Sequence, residues 1–420
     1  MKVDGHRADA GLPPAGAVGG LLHVVHGWPL DQIGGVGVVV ASLCAAAQVA
    51  GVPVAVLAPS GRWRLRPDRV WVEGPIPAVL IDRGGALGAT AAWSQPAAAR
   101  VVDQVLRALR PREVHVHHLA GLPLGLPEQA RAANAAVHLH MHDYHLVCAR
   151  GQLLDADGAP CPGPSPARCA SCLGWRGASG QAAATFRAQA ALRALRTADA
   201  IWSPSADLAD RLGRFGLPVP RVAPLPLRAA PWVARTPPQG DEALRVLFVG
   251  SMHPSKGPDL LVRAVGALPP GAARLRLLGP AARGATAFLD RAIDVAVKQG
   301  AQITREAAVD ARGLARAFAD GDLLVVPSRW AENSPLVVRE ATAAGLWTML
   351  PSWGGARELD PGALLFGAPR REPPRGPNRD QVIVEALHQA LLRACTVARV
   401  ARAPRAWPHA RGLPGSGLDG

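Results

Sequence analysis

Two carboxylates with seven residues between them, Glu332 and Glu340, frame the segment Asn333-Ser334-Pro335-Leu336-Val337. The apolar run Leu323–Pro327 upstream reads as a buried strand, and Ser334-Pro335 as the N-cap and first position of a helix. Free amides at such a helix start attract an anion, and the helix dipole adds to the attraction. A carboxylate on either side can accept hydrogen bonds from the vicinal hydroxyls of ribose or a hexose. The bare spacing also fits a solvated Glu332 and a Glu340 paired with an arginine. A related pattern lies upstream in VLFVGSMHPSKGPDLL, Val246–Leu261: a strand, Gly250-Ser251, a short loop, Lys256-Gly257, then a helix. A glycine turn bearing a lysine suits a diphosphate, with the ammonium as a compact charge. Taken singly it is equally a loop with a surface lysine. Lys2, Lys256 and Lys298 are the only lysines among 46 basic residues, so lysine at this place departs from the chain's habit of writing arginine.

The first half offers histidines and cysteines. His115, His117 and His118 sit in one apolar run, and His138, His140, His142 and His145 in another. Alternation puts several on one face of a strand, which suits either a metal site or packing between two neighbouring parallel strands. His142-Asp143 falls beyond the end of its strand, where a ligand would lie. Gly34-Gly35, between a strand and a helix, lets backbone approach a phosphate closely or simply makes a tight turn. Cys148, Cys161, Cys169 and Cys172 fall within 25 residues, the last two as C-x-x-C. That spacing suits one structural zinc held by four thiolates. An iron–sulfur cluster has the same ligand demand, and free or redox-active thiols are the third reading. Cys44 and Cys395 read as small core residues. Asp155-Ala156-Asp157 reads as a solvated turn.

These groups need a scaffold, and the pattern of the chain supplies one. Short apolar runs alternate with longer alanine-rich amphipathic stretches, as in βαβ units around parallel sheets. Strands are expected at Leu21–Val25, Val52–Ala58, Val70–Val72, Glu113–His117, Ala136–His140 and Ala200–Ser203. In the second half they are expected at Arg245–Val249, Arg274–Leu278, Ala301–Thr304, Leu323–Pro327, Thr348–Pro351 and Ala363–Phe366. The proline-rich Leu225–Gly240 reads as a linker. It divides 420 residues into an N-terminal domain over 19–225, with a cysteine-rich insertion at 148–172, and a C-terminal domain over 241–402 ending in a helix. Residues 1–18 and 403–420 are expected to be unstructured. Two doubly wound α/β domains would then face each other across a cleft at the carboxyl ends of their strands.

Composition narrows the function further. The net charge is +14, yet 43 of the 46 basic residues are arginine and aromatic residues make up only 4%. With arginines scattered along helices and few stacking rings, no nucleic-acid partner is expected. Arginine-bearing helices such as the one carrying Arg187, Arg193 and Arg196 suit an anionic membrane surface instead. The uncharged stretch Gln32–Gly61 is broken by glycines and a proline, so it reads as a loop, a buried helix near Val38–Ala50 and a strand rather than a membrane span. The N-terminus lacks a secretory pattern, and a cytoplasmic protein is expected.

In VGSMHPSKG, in PSRWAENSPLVVREATAAG and in SWGGARELD, together with Gly34-Gly35, HHLAGL and His142-Asp143, the chain resembles the retaining glycosyltransferases of family 4, of GT-B architecture. The resemblance covers about residues 20–400. It implies transfer from a nucleotide-diphosphate sugar to a glycan or lipid-linked acceptor, in cell-surface or exopolysaccharide biosynthesis, at the inner face of the membrane. Residue by residue, it implies that Glu340 holds the ribose and Glu332 the donor sugar. Amides around Ser334–Val337 hold the diphosphate, Lys256 neutralises it as it leaves, and His142 orients the sugar. It also implies that no metal is needed for catalysis. Family members carry arginine where this chain has Ser251, and Arg329 is the candidate substitute. An epimerase or phosphorylase of the same fold, and a non-catalytic anion- or RNA-binding protein, are the competing readings.

Overall fold

The computed structural model describes residues 2–3, 6–10, 19–28, 34–60, 69–72, 74–82, 91–226, 233, 243–281, 286–369 and 372–400. Most of the expected linker and the tail 403–420 lie outside them. The chain divides into two compact units, Met1–Arg228 with Trp330–Pro335, and Ala229–Arg329 with Leu336–Gly420. The segment Trp330–Pro335, expected within the C-terminal domain, thus groups with the first unit.

In the first unit, seven strands run parallel in the spatial order Ala78–Ile81, Val54–Pro59, Leu21–Val24, Glu113–Val116, Ala136–His140, Ala200–Ser203, Arg221–Val222. Arg69–Val72 pairs antiparallel beside Ala78–Ile81, and His6–Ala10 and Lys2–Val3 extend that edge, also antiparallel. Residues 2–3 and 6–10 therefore form strands where an unstructured end was expected. The expected strands mostly shift by one or two residues at their ends. Ala78–Ile81 was missed because four apolar residues after a proline carry no period, and Arg221–Val222 because it is an exposed two-residue edge.

Both faces of this sheet are covered, which is why its strands read as continuous apolar runs. In Val54–Pro59, Ala55 and Leu57 join the core that holds Val102, Leu106 and Leu126. Val54, Val56 and Ala58 join the opposite core, against Val40 and Cys44 of the helix Gly35–Val49. Among the described residues, no helix is long and apolar enough to cross a membrane.

The second unit is a six-stranded, all-parallel sheet ordered Gln302–Glu306, Ala273–Leu278, Leu244–Val249, Leu323–Val325, Trp347–Pro351, Leu364–Phe366. The helix expected over 380–402 spans Arg379–Val400. The strand order reverses direction between Leu244–Val249 and Leu323–Val325. The corresponding reversal in the first unit lies between Leu21–Val24 and Glu113–Val116. Ligands of doubly wound sheets bind beyond the carboxyl ends of the strands at such switch points. The loops singled out by chemistry, at Gly250–Gly257 and Pro327–Pro335, follow the two switch-point strands of the second unit. Gly34 and His117-His118 follow those of the first.

Histidines fill the first unit near its switch point. His23 Nδ1 lies 2.9 Å from His117 Nε2, and His117 Nδ1 lies 2.9 Å from His142 Nε2. A parallel pair joins His115 Nδ1 to His140 Nε2 at 3.0 Å, and the His117 and His140 rings stack at 4.4 Å. Beside them the His118 and His145 rings stack at 4.2 Å, and the His26 ring lies tilted at 4.2 Å from His118. Neutral imidazole carries one donor and one acceptor, so such a chain satisfies itself. Charging it is costly. Burial, reinforced by neighbouring histidines, pulls His23 down to about 3 and His140 to about 2, and holds His117 well below the usual range. Burial brings His142 to about 4 and His145 to about 3.

These groups ionise near 6.5 in the unfolded chain, so between about pH 6.5 and their folded values the unfolded state binds more protons. Stability is therefore full above pH 6.5 and falls as pH drops, by up to about 1.4 kcal/mol per pH unit for each group. Urea unfolding at pH 8, 7, 6 and 5 should show this decline, with a shallower slope in His140→Gln. Equal stability at pH 7 and pH 5 would contradict the neutral array.

Candidate functional site

The lysine loop is shaped by backbone contacts that tolerate no side chain. Gly257 has φ +70°, and a Cβ there would lie 2.1 Å from the Pro327 carbonyl oxygen. Gly279, which the sequence reading did not single out, has φ +146° and would place a Cβ 2.0 Å from the Gly250 carbonyl oxygen. Its only signal was a Gly-Pro pair after a strand. The amide of Gly250 donates to Leu278, and Ser251 accepts from the His253 amide. Pro254–Lys256 form one 3₁₀ turn whose start is capped by His253, the Ser255 amide donating to Nδ1 at 3.2 Å. Lys256 is half-buried at the end of that turn.

Arg329 locks this loop. Its guanidinium donates to Asp259 at 2.8 and 2.6 Å and to Asp380 at 3.1 and 2.8 Å, with a further bond to the Pro254 carbonyl at 2.6 Å. Its amide donates to the Ser255 carbonyl. Burial alone would lower its pKa, but the two carboxylates raise it above the ordinary arginine value. The expectation that Arg329 replaces the missing cation at Ser251 is thereby overturned: both edges of its guanidinium are already matched by carboxylates. It positions the Lys256 turn instead.

The helix after the two-carboxylate segment spans Leu336–Ala343. The first amides of any such helix, here from Leu336 and Val337 onward, lack intrahelical acceptors. Glu340 is buried in its second turn. Ser334 does not serve as the expected cap: its Oγ is buried without a hydrogen-bond partner. Arg339, beside Glu340, was also missed; one guanidinium nitrogen is buried without a partner, and burial lowers its pKa.

Within the first unit, Trp330–Pro335 packs on the turn that follows Ala136–His140. Asn333 donates its amide to the His142 carbonyl at 3.0 Å, and Tyr144 Oη donates to the Ala331 carbonyl at 3.3 Å. The Tyr144 and Trp330 rings meet edge-on at 6.2 Å. Trp330 Nε1 donates to Glu332 Oε1 at 3.0 Å, which aims a carboxylate that is 4% exposed. Asn333 is 1% exposed, yet its Oδ1 has no partner. Asp143 accepts from the His145 amide at 2.7 Å and faces His118 Nε2 at 3.3 Å. Burial would raise its pKa, but those histidine contacts bring it down to about 2, so it stays ionised. A hollow lined by His117, His118, Met141, His142, Asp143 and His145 opens at these strand ends. The structure therefore gathers Glu332, Asn333 and His142, and adds Tyr144 and Trp330, which spacing did not reveal.

Gly34 is exposed and extended, and the helix opens directly at Gly35. Asp155 Oδ1 accepts from the Asp157 and Ala159 amides, an ordinary turn. Arg187, expected on a membrane-facing surface, points inward and is 5% exposed, while Arg193 reaches Glu128 at 3.4 Å. All six cysteines are free thiols. Among the described residues, the set of metal-capable atoms lying mutually within 4.8 Å is Glu113, His115 and His138 rather than the four sulfurs. That set lies within the strands Glu113–Val116 and Ala136–His140, before their carboxyl ends.

Comparison with known proteins agrees with this arrangement. A model of the glycosyl transferase 4-like domain matches residues 34–228, and one of the glycosyl transferases group 1 matches residues 243–373. A D-inositol 3-phosphate glycosyltransferase of Mycobacteroides abscessus is 36% identical over 113 residues, 26% of this chain and 25% of that protein. The chain thus matches about a quarter of that relative's length. Among solved structures, sucrose-phosphate synthase from Thermosynechococcus elongatus superposes with a TM-score of 0.61 at 17% identity, covering 90% of this chain and 91% of that one. HepE of Anabaena in complex with UDP gives 0.56 at 16% identity, covering 91% and 93%. Starch synthase IV of Arabidopsis thaliana, bound to ADP and acarbose, gives 0.53 at 14%, covering 90% and 92%. At such identities these structures establish the fold. With the two family models lying end to end over its two units, this chain belongs to the glycosyltransferases of GT-B fold.

Proposed function

We propose that the chain transfers a sugar from a nucleotide-diphosphate sugar to a glycan or lipid-linked acceptor, with retention of anomeric configuration, in cell-surface or exopolysaccharide biosynthesis. The observation that carries the reading is the pair of buried polar atoms without partners, Asn333 Oδ1 and Ser334 Oγ, between two buried carboxylates and a helix start. Buried polar atoms are almost always satisfied, so an orphaned pair at a switch-point loop calls for a polyhydroxylated, anionic ligand. The structures of HepE with UDP and with UDP-glucose support a nucleotide-sugar donor.

Glu340 accepts the ribose hydroxyls and Glu332, aimed by Trp330, those of the donor sugar. The amides of Ser334, Leu336 and Val337 hold the diphosphate, with Pro335 setting the helix start. Gly34 and Gly35, and Gly250 with Ser251, admit backbone close to the phosphates. As the anomeric C–O bond breaks, negative charge builds on the leaving diphosphate. Lys256 and the helix amides stabilise that charge, so catalysis needs no metal in this role. His142 orients the donor sugar, and the leaving phosphate takes the acceptor proton, so no side-chain base is assigned. An acceptor on a lipid carrier would bring the protein to the cytoplasmic face of a membrane.

A thermal-shift screen of nucleoside diphosphates and their sugars tests this directly. At least one should raise the melting temperature of the wild type. Glu340→Ala should bind it about 10–100-fold more weakly, since a hydrogen bond to a charged group contributes roughly 1.5–3 kcal/mol. No stabilisation by any nucleotide would defeat the reading. Lys256→Ala should lower kcat about 10²–10³-fold, as loss of one oxyanion stabiliser does elsewhere. Arg329→Met leaves Asp259 buried and uncompensated, and should destabilise the protein by roughly 3–5 kcal/mol. Unchanged urea unfolding in that variant would refute the clamp.

A further inference from the structure

The proposed transfer uses His142 but not the histidines that precede it along the same strands. In Glu113–Val116, Val114 and Val116 enter the apolar core, so Glu113 and His115 share the opposite face of the sheet. In Ala136–His140 the same alternation buries Val137 and Leu139 and turns His138 and His140 to that face. Parallel pairing sets His115 beside His138 and Glu113 beside Ala136. Register therefore brings a carboxylate and two imidazoles together, from segments that adjoin only in the folded sheet.

Glu113 Oε2 faces both rings, with His115 Nε2 at 3.2 Å and His138 Nε2 at 3.7 Å. The second distance is too long for a hydrogen bond. It does suit a shared cation: tetrahedral zinc with bonds of about 2.0–2.1 Å holds its ligand atoms roughly 3.3 Å apart. One ligand atom from each of the three residues lies within 4.8 Å of the other two. The His115 and His138 rings are nearly parallel, with centroids 4.8 Å apart and planes at 13°, so small rotations bring both nitrogens onto one ion. Arg112 Nε approaches the other carboxylate oxygen, Oε1, at 3.4 Å, which leaves Oε2 to the imidazoles. All three side chains are partly exposed, so an ion can enter and keep water in its remaining position. A second observation supports the same use of His115. Its Nδ1 lies 3.0 Å from Nε2 of His140, whose ring stacks on His117 at 4.4 Å. Histidines that bind a metal donate their other N–H to such a partner, which fixes the tautomer and aims the free lone pair.

We propose that Glu113, His115 and His138 bind one zinc ion through the carboxylate and the two Nε2 atoms, with water completing its shell and His140 orienting His115. Two imidazoles and one carboxylate suit zinc, whereas magnesium and calcium favour all-oxygen sets. The ion cross-links neighbouring strands of the first unit, those that lead to His117 and to His142. It lies before the carboxyl ends of those strands, so its role is separate from the donor chemistry proposed beyond them and does not depend on it.

The test is calorimetric titration of the full-length protein, stripped with chelator, with zinc, and a parallel titration with cobalt followed by absorption. One equivalent per chain is expected, with cobalt bands of nitrogen and oxygen coordination and no thiolate charge transfer. His140→Leu should weaken zinc about 10–100-fold, the usual cost of losing the partner of a ligand histidine, and Glu113→Gln and His138→Gln at least as much. His388→Gln, on the final helix, should bind as the wild type does. Zinc should raise the melting temperature of the wild type but not that of Glu113→Gln. Should His138→Gln fail to fold, Glu113→Gln, altered at a partly exposed strand start, decides the matter. A folded wild type without affinity for zinc overturns the proposal. So does a thiolate-type cobalt spectrum, or zinc affinity unchanged in Glu113→Gln.

Discussion

A guanidinium shared by two carboxylates decides how the second unit presents its chemistry. Arg329 draws together the turn before Asp259, the strand exit at Pro327 and the start of the final helix at Asp380, three segments far apart in sequence. Side chains play little part where those segments touch. Gly257 sits against the Pro327 carbonyl and Gly279 against the Gly250 carbonyl, at distances only glycine allows. The fold thus brings backbone to backbone at the switch point and keeps bulk out of the space beyond the strands. An arginine used in this way cannot also serve as a phosphate ligand, and the proposed function gives that role to Lys256.

The first unit solves a different problem. It buries a file of histidines in the strands nearest its switch point, where burial forbids charge. Neutral imidazoles linked head to tail avoid the penalty, because each supplies one donor and one acceptor. Asp143 behaves oppositely: desolvation alone would protonate it, but an amide hydrogen bond and a facing histidine keep it ionised. A rigid polar stack ending in a fixed carboxylate is a firm support for the turn that carries His142.

Much of this was legible in the sequence where the signal is local. Alternating βαβ patterning placed most strands of both sheets, the spacing of Glu332 and Glu340 and the glycine–lysine loop marked the loops that follow the switch-point strands of the second unit, and His142-Asp143 marked the turn after Ala136–His140. What escaped depends on partners distant along the chain. Asp259 and Asp380 lie 70 and 51 residues from Arg329, so nothing near that arginine announces an ion-pair role. Arg187 looked like surface charge because its helix is arginine-rich, yet tertiary packing turns it inward. Tyr144, the chain's single tyrosine, offered no pattern to match. Ser334 before proline looked like a cap, but its hydroxyl is left without a partner.

Burial favours one direction for the hydrogen bonds along the histidine file. His23 Nε2 is buried and without a partner. If hydrogen bonds ran from His142 toward His23, that nitrogen would carry a proton and become an orphaned buried N–H, the rarer and costlier defect. Run the other way, His23 donates from Nδ1 to His117, His117 donates from Nδ1 to His142 Nε2, and the orphan is only a bare lone pair. That direction leaves His142 protonated on Nδ1. Its ring then offers a hydrogen-bond donor with a fixed tautomer, set by residues two imidazoles away, while its backbone carbonyl is held by Asn333. In the proposed transfer, a donor at Nδ1 would meet a sugar hydroxyl oxygen, as the carboxylate of Glu332 would meet a hydroxyl proton.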